Sequence, residues 1–137
     1  ACGTVNRVPA DRLAAEAGSA RCPKGGTRLF PGIPIDVGAA ALDRHIAKSD
    51  LAVVVDFWAA WCGPCRTMAP AFAEAAGRLV AQARPLKVDA DAEAEAAAGF
   101  ALRSIPTMVL FRGGREVART SGAMSAAGIT DFVARRA

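Results

Sequence analysis

Residues 51–65 read LAVVVDFWAAWCGPC, an apolar β-branched run that ends at two cysteines two residues apart. A run of that length and make-up predicts a strand buried on both faces, with Asp56 the charge inside it. Cys62 and Cys65 follow the strand directly and open the next helix, so Cys62 stands at a helix N-terminus and Cys65 one turn further on. Unsatisfied backbone N–H groups at that end favour a thiolate, which makes Cys62 the candidate nucleophile and Cys65, deeper, the resolving thiol. A Cys-x-x-Cys pair can also be half a metal site, or two inert core thiols. A metal would have to draw its other ligands from Cys2 and Cys22, twenty residues apart on a separate part of the chain. Inert thiols fit poorly with a Trp-Cys-Gly-Pro-Cys turn at a strand-to-helix junction. A reversible disulfide is the expectation.

Outward from this stretch the pattern is regular. AAALDRHIAKS (39–49) has helical spacing, with Leu42 and Ile46 four apart. APAFAEAAGRLVAQA (69–83) predicts a helix kinked at Pro70, RPLKVDA (84–90) a strand, DAEAEAAAGF (91–100) a helix and TMVLF (107–111) a strand. Gly113 and Gly114 between two strand-like runs predict a hairpin. SAAGITDFVARRA (125–137) predicts a closing helix with Ser125 as its N-cap and basic residues in its last turn. Strands alternating with helices, then a hairpin, imply a mixed sheet with helices on both faces, an α/β domain. Residues 1–33 differ. They hold the turn formers PKGG (23–26) and the start of FPGIP (30–34), and only a short helix candidate, DRLAAEA (11–17). They predict a small loop-rich unit ahead of a domain at 34–137.

Length and charge exclude several classes. A chain of 137 residues holds one domain with a sizeable core and a small appendage. The net charge is +4, but the basic residues are scattered apart from Arg135-Arg136, with no aromatic interleaving, so no nucleic-acid partner is expected. The longest apolar stretch is interrupted by Asp56 and falls short of the roughly 18 residues of a membrane span, so no membrane association is expected. The start, ACGTVNRVPADR, lacks the basic-then-apolar order of a secretory signal, which makes the cytoplasm the expected location. Four cysteines there point to metal or redox chemistry before a structural disulfide framework. His45, the one histidine, lies far in sequence from the cysteines, against a Cys–His hydrolase. PKGGTR lacks the strand–loop–helix setting of a phosphate-binding loop.

VVVDFWAAWCGPCRTMAP, KVDAD, SIPTMVLFRGG and GAMSAAGITDF occur in an order and at spacings that resemble thioredoxin from Ile35 to the end. The Gly-Pro between the cysteines matches thioredoxin and not glutaredoxin or disulfide-isomerase pairs. The resemblance implies the thioredoxin fold, a five-stranded mixed sheet flanked by four helices. It implies a protein thiol–disulfide oxidoreductase that needs no cofactor for catalysis. By the same resemblance Asp56 is a buried carboxylate that takes the proton of Cys65, and Lys87 lies near it and tunes it. Ile105, Pro106 and Thr107 belong to a cis-proline loop across from the disulfide. Trp61, Gly63, Pro64, Ile105, Gly122 and Ala123 would surround the exposed sulfur and accept protein disulfide substrates, with Trp58 in the core. The dithiol would be restored by an NADPH-dependent thioredoxin reductase, and the protein would act as a monomer. The rival is a binding module without chemistry, whose partners would stay bound after loss of both cysteines; two reactive thiols argue against it.

CGTVNRVP (2–9) and RCPKGGTRLFPG (21–32) resemble the N-terminal unit of the thioredoxin-2 subfamily, where two Cys-x-x-Cys pairs hold one zinc. Both pairs are incomplete. The partner of Cys2 would precede Ala1, and the position expected for the partner of Cys22 holds Gly25. Structural zinc takes four ligands, and Cys2 and Cys22 supply two. A zinc site completed by other groups, a disulfide, and two relic thiols all stay open, and a role in modulating the main domain follows only by resemblance.

Overall fold

The run at 52–58 forms the middle strand of a five-stranded sheet in the computed structural model, which describes residues 33–80 and 82–136. In chain order the elements are β1 (Ile35–Asp36), α1 (Ala39–Lys48), β2 (Ala52–Trp58), α2 (Gly63–Arg78), β3 (Ala83–Asp89), α3 (Ala94–Gly99), β4 (Thr107–Arg112), β5 (Arg115–Ser121) and α4 (Ala126–Arg136). The strand order is β1-β3-β2-β4-β5. Strands β1, β3 and β2 run parallel, whereas β4 is antiparallel to β2 and β5 to β4. The mixed sheet and four helices agree with expectation. The short β1, the fifth strand that the resemblance implies, has no signal in the local pattern, because two residues carry no alternation to read. No helix among the described residues is long and apolar enough to cross a membrane.

Strand alternation divides the core into two layers. Ala52 and Val54 of β2 face α2 and α4, packing with Met68, Phe72, Leu79, Ile129 and Val133. Val53, Val55 and Phe57 face the opposite way, toward Leu42 of α1 and the partly buried Phe100 and Leu102. Both faces of β2 are therefore covered, and Ala52 through Phe57 are buried throughout. Each fully buried aliphatic or phenyl side chain contributes about 1.5–3 kcal/mol. By the same period of two, Asp56 lies on the α2 face. Lys87, its register partner on β3, shares that face, since its neighbours Leu86 and Val88 belong to the other layer.

Two helices differ in extent from their sequence patterns, α2 ending earlier and α3 being shorter. Helix α2 passes through Pro70 without ending there but stops at Arg78, five residues before Ala83. The Leu79 carbonyl then accepts from the N–H groups of Gln82 and Ala83, a turn that delivers the chain into β3. Helix α3 starts at Ala94, not Asp91, because the Asp89 carboxylate accepts from the backbone N–H groups of Asp91 (2.9 Å) and Ala92 (3.2 Å). That Asx-type turn keeps residues 90–93 out of the helix. Elsewhere the local signals hold. Gly113 and Gly114 take φ +62° and +82°, the left-handed pair of a type I′ hairpin. The Ser125 hydroxyl accepts from Gly128 N–H at 3.1 Å, capping α4.

The N-terminus of α1 is capped from a distance. Gly38 has no side chain to offer, and Glu93 Oε1 accepts from Ala39 N–H at 3.1 Å. A Cβ on Gly38 would lie 2.6 Å from that oxygen. Gly38→Ala is therefore expected to displace the Glu93 carboxylate and destabilise the fold by about 1 kcal/mol, the usual cost of a lost cap. Denaturant unfolding of the wild type, Gly38→Ala and Glu93→Ala checks it: the two variants should lose similar amounts.

Candidate active site

Helix α2 begins at the cysteine pair because Cys62 caps it. Its backbone is extended (φ −84°, ψ 112°), and its Sγ accepts from Cys65 N–H at 3.2 Å. Gly63 and Pro64 fill the first turn, where a proline lacks no bond that a helix would need. The Cys62 N–H donates to the Ala59 carbonyl at 3.1 Å, and the Arg66 guanidinium to the Ala60 carbonyl at 2.7 Å, which anchors the loop from β2. Cys62 and Cys65 are joined as a disulfide with Cα atoms 5.2 Å apart. The sulfurs pack among Trp58, Ala59 and Ile105. Cys62 is 4% and Cys65 2% exposed, so both are buried and do not differ in depth, and the exposed sulfur that the resemblance implies for Cys62 is not seen in the disulfide state.

Around this pair the sequence-predicted residues gather. The Ile105–Pro106 peptide is cis, and the Ile105 carbonyl oxygen lies 3.7 Å from Cys62 Sγ. Pro106 is buried, and its carbonyl accepts from Gly122 N–H at 2.9 Å, bringing the exposed Gly122 and Ala123 beside it. Gly122 adopts φ +95°, a conformation that favours glycine. Trp61 is 67% exposed, an unusual position for so large an apolar ring. Trp61 and Ile105 line a groove of about 460 Å³, together with Ala90, Asp91, Leu102 and Arg103.

Asp56 is 1% exposed, and neither carboxylate oxygen has a hydrogen-bond partner among the described residues. Burial pushes its pKa up from 3.8 to about 7, with the positive charge of Lys87 opposing the rise. The Lys87 ammonium sits 4.7 Å over the Trp58 ring, which is half-buried against the cysteines and not deep in the core. The arrangement therefore holds a proton-accepting group near neutrality on the same face of the sheet as Cys65.

Sequence reasoning missed several contributors. The Trp61 indole N–H donates to Asp91 Oδ2 at 2.7 Å, across thirty residues. Thr107 bonds both Ser104 and Ser121. No local pattern could pair Trp61 with Asp91 or Thr107 with Ser121, since each partner arrives from another element. Cys2 and Cys22 lie outside the described residues, and among the described residues no group of three or more His, Cys, Asp or Glu could hold a metal.

Comparison with known proteins gives a consistent result. The family model Thioredoxin matches residues 34–135. Thioredoxin C-3 of Corynebacterium nephridii is 42% identical over 127 residues, covering 90% of this chain and 82% of that protein. The bifunctional thioredoxin reductase/thioredoxin of Mycobacterium leprae is 42% identical over 98 residues, 72% of this chain but 21% of that much longer protein. Among solved structures, a mutant thioredoxin from Halobacterium salinarum NRC-1 superposes with a TM-score of 0.70 at 30% identity, covering 77% of this chain and 92% of that one.

Proposed function

The chain belongs to the thioredoxin family, and from that premise we propose how its residues divide the work of thiol–disulfide exchange. It is a thioredoxin-type disulfide oxidoreductase. In its dithiol form the Cys62 thiolate attacks one sulfur of a substrate disulfide, and the other substrate sulfur leaves as a thiolate and takes a proton. Cys65 then gives its proton to Asp56 and attacks Cys62 Sγ. The second substrate sulfur departs, and the Cys62–Cys65 disulfide is left. Two electrons have passed from the cysteine pair to the substrate, with no cofactor required. The observation that carries this assignment is the disulfide at the start of α2, with an unpartnered buried carboxyl on the same face.

Lys87 sets the level of Asp56: its charge lowers a pKa that burial raises. Trp61, Gly63, Pro64, Ile105, Pro106, Gly122 and Ala123 form the rim that receives a polypeptide disulfide. Support comes from the Ile105 carbonyl 3.7 Å from Cys62 Sγ, from the Gly122 N–H bond to the Pro106 carbonyl and from the exposure of Trp61. The electron donor is an NADPH-dependent thioredoxin reductase, a pairing supported by the Mycobacterium leprae relative, whose name joins the two activities. A donor of that kind works in a reducing compartment, and we assign the protein to the cytoplasm, as a monomer. The test is NADPH oxidation in a mixture of the protein, a thioredoxin reductase and insulin. Turnover is expected; oxidised insulin with no NADPH consumed would overturn the assignment.

Residues 1–33 we propose as a separate small unit. Its cysteines supply half the ligands of a structural zinc, so no step of the exchange is routed through a metal. Zinc per chain in the wild type and in Cys22→Ser tests whether the unit is a metal site.

A further inference from the structure

The two loops flanking the disulfide are joined by a chain of hydroxyls. Thr107, at the start of β4, is 2% exposed and has no recourse to water. Its Oγ1 lies 2.6 Å from the Ser104 carbonyl oxygen and 3.1 Å from Ser121 Oγ. A hydroxyl has one proton to give. The Ser104 carbonyl can only accept, so Thr107 donates there, and its second bond must be one it accepts. Ser121 is therefore the donor, and the bonds run Ser121 to Thr107 to the Ser104 carbonyl. Thr107 and Ser121 are also cross-strand partners at the end of the β4–β5 ladder, next to the Gly122 N–H bond to the Pro106 carbonyl.

We propose that Ser121 is a positioning residue for binding protein disulfides. Through Thr107 it ties the loop of Gly122 and Ala123 to the loop of Ser104, Ile105 and Pro106, holding both rims in the geometry that receives substrate. This rests on the rim assigned above. Without the Ser121 hydroxyl Thr107 keeps its bond to Ser104, so the break is confined to the link between loops. The Gly122 N–H bond to the Pro106 carbonyl remains, so the loops are loosened, and the looser rim must be ordered at each binding event, which weakens binding. The reacting groups Cys62, Cys65 and Asp56 stand on β2 and α2, outside the link, so the cost falls on KM and not on kcat.

The test compares wild type, Ser121→Ala and Ser121→Thr by insulin reduction kinetics and by amide hydrogen exchange at Gly122. In Ser121→Ala, KM is expected to rise roughly three- to tenfold with kcat within about twofold, and Gly122 exchange to quicken by a similar factor, the size of one lost hydrogen bond. Ser121→Thr, which keeps the hydroxyl, should restore both. Unchanged KM and Gly122 exchange in Ser121→Ala would overturn the proposal. So would a fall in kcat that tracks a loss of thermal stability, or a failure of Ser121→Thr to rescue. A wild type that left insulin oxidised would count against the disulfide-reductase assignment, whereas Gly122 exchange judges the tie on its own.

Discussion

A Cys65→Ser variant mixed with a protein disulfide is expected to stall as a covalent adduct through Cys62. Cys62→Ser is expected to form no adduct and to lose turnover by at least roughly a thousandfold, since a serine hydroxyl is a far weaker nucleophile than a thiolate. The asymmetry follows from the two environments. Cys62 caps the 16-residue helix α2, with Cys65 N–H directed at its sulfur, so a negative charge on that sulfur is stabilised. Cys65 lies within the first turn of the helix with its sulfur bonded to that of Cys62, so the step assigned to it is attack on Cys62 Sγ. Removing Cys65 leaves the attack intact and deletes the step that releases product. The Cys62→Ser comparison is clean structurally, because serine is a favoured N-cap and keeps the Cys65 N–H satisfied. Mass spectrometry of the reaction mixtures, before and after a small thiol reductant, reads the outcome. An adduct on Cys62→Ser, or none on Cys65→Ser, would reverse the assignment of the two sulfurs.

Asp56→Asn is expected to stabilise the protein at pH 8 and to leave its stability nearly unaltered near pH 3.5. Burial raises the folded-state pKa to about 7 from 3.8. Below about pH 4 the carboxyl is protonated in both folded and unfolded chains and costs nothing. Between about 4 and 7 the unfolded chain ionises while the folded one holds its proton, so wild-type stability falls by about 1.4 kcal/mol per pH unit. Above 7 the penalty levels off at about 4 kcal/mol, the value of a shift of about three units. An asparagine amide buried in the same place lacks partners as the neutral carboxyl does, so it changes little at pH 3.5 and the whole penalty, about 4 kcal/mol, is recovered at pH 8. Denaturant unfolding of both oxidised proteins at the two pH values checks the sign; an equal difference at both would show that the carboxyl is not held neutral by burial. The same substitution deletes the group that accepts the Cys65 proton, and turnover should fall by about two orders of magnitude. Stability and activity then move in opposite directions at one residue, as expected of a charge buried for its chemistry.

Much of the fold was legible in local sequence. The β2 run, the hairpin glycines and the Ser125 cap each carry their signal within a few neighbours, and all appear where expected. Strand β1 was too short for any period to register. Helix α3 was read too long because alanine-rich DAEAEAAAGF is helical by propensity throughout, and the side chain that withholds its first turn, Asp89, lies outside that stretch. Of the site, Cys62, Cys65 and Asp56 stood out as reactive residue types in an apolar stretch. Asp91, Ser104 and Ser121 did not, because nothing in their own surroundings distinguishes them from surface or turn residues.

The sequence by itself determined the element order, the strand-to-helix junction that carries the cysteines, and the charge placed inside the central strand. Period, propensity and spacing are properties of neighbours along the chain, and these features need nothing else. Only the tertiary structure decided that Asp56 has no partner, that Lys87 shares its face, that Asp91 holds Trp61, and that a hydroxyl chain links the two rims. Each of those depends on which groups arrive from elements 14 to 31 residues away. Burial and hydrogen bonding between distant elements are set by how the layers pack, and it is that packing which turns a cysteine pair into a site with a proton acceptor and a substrate rim.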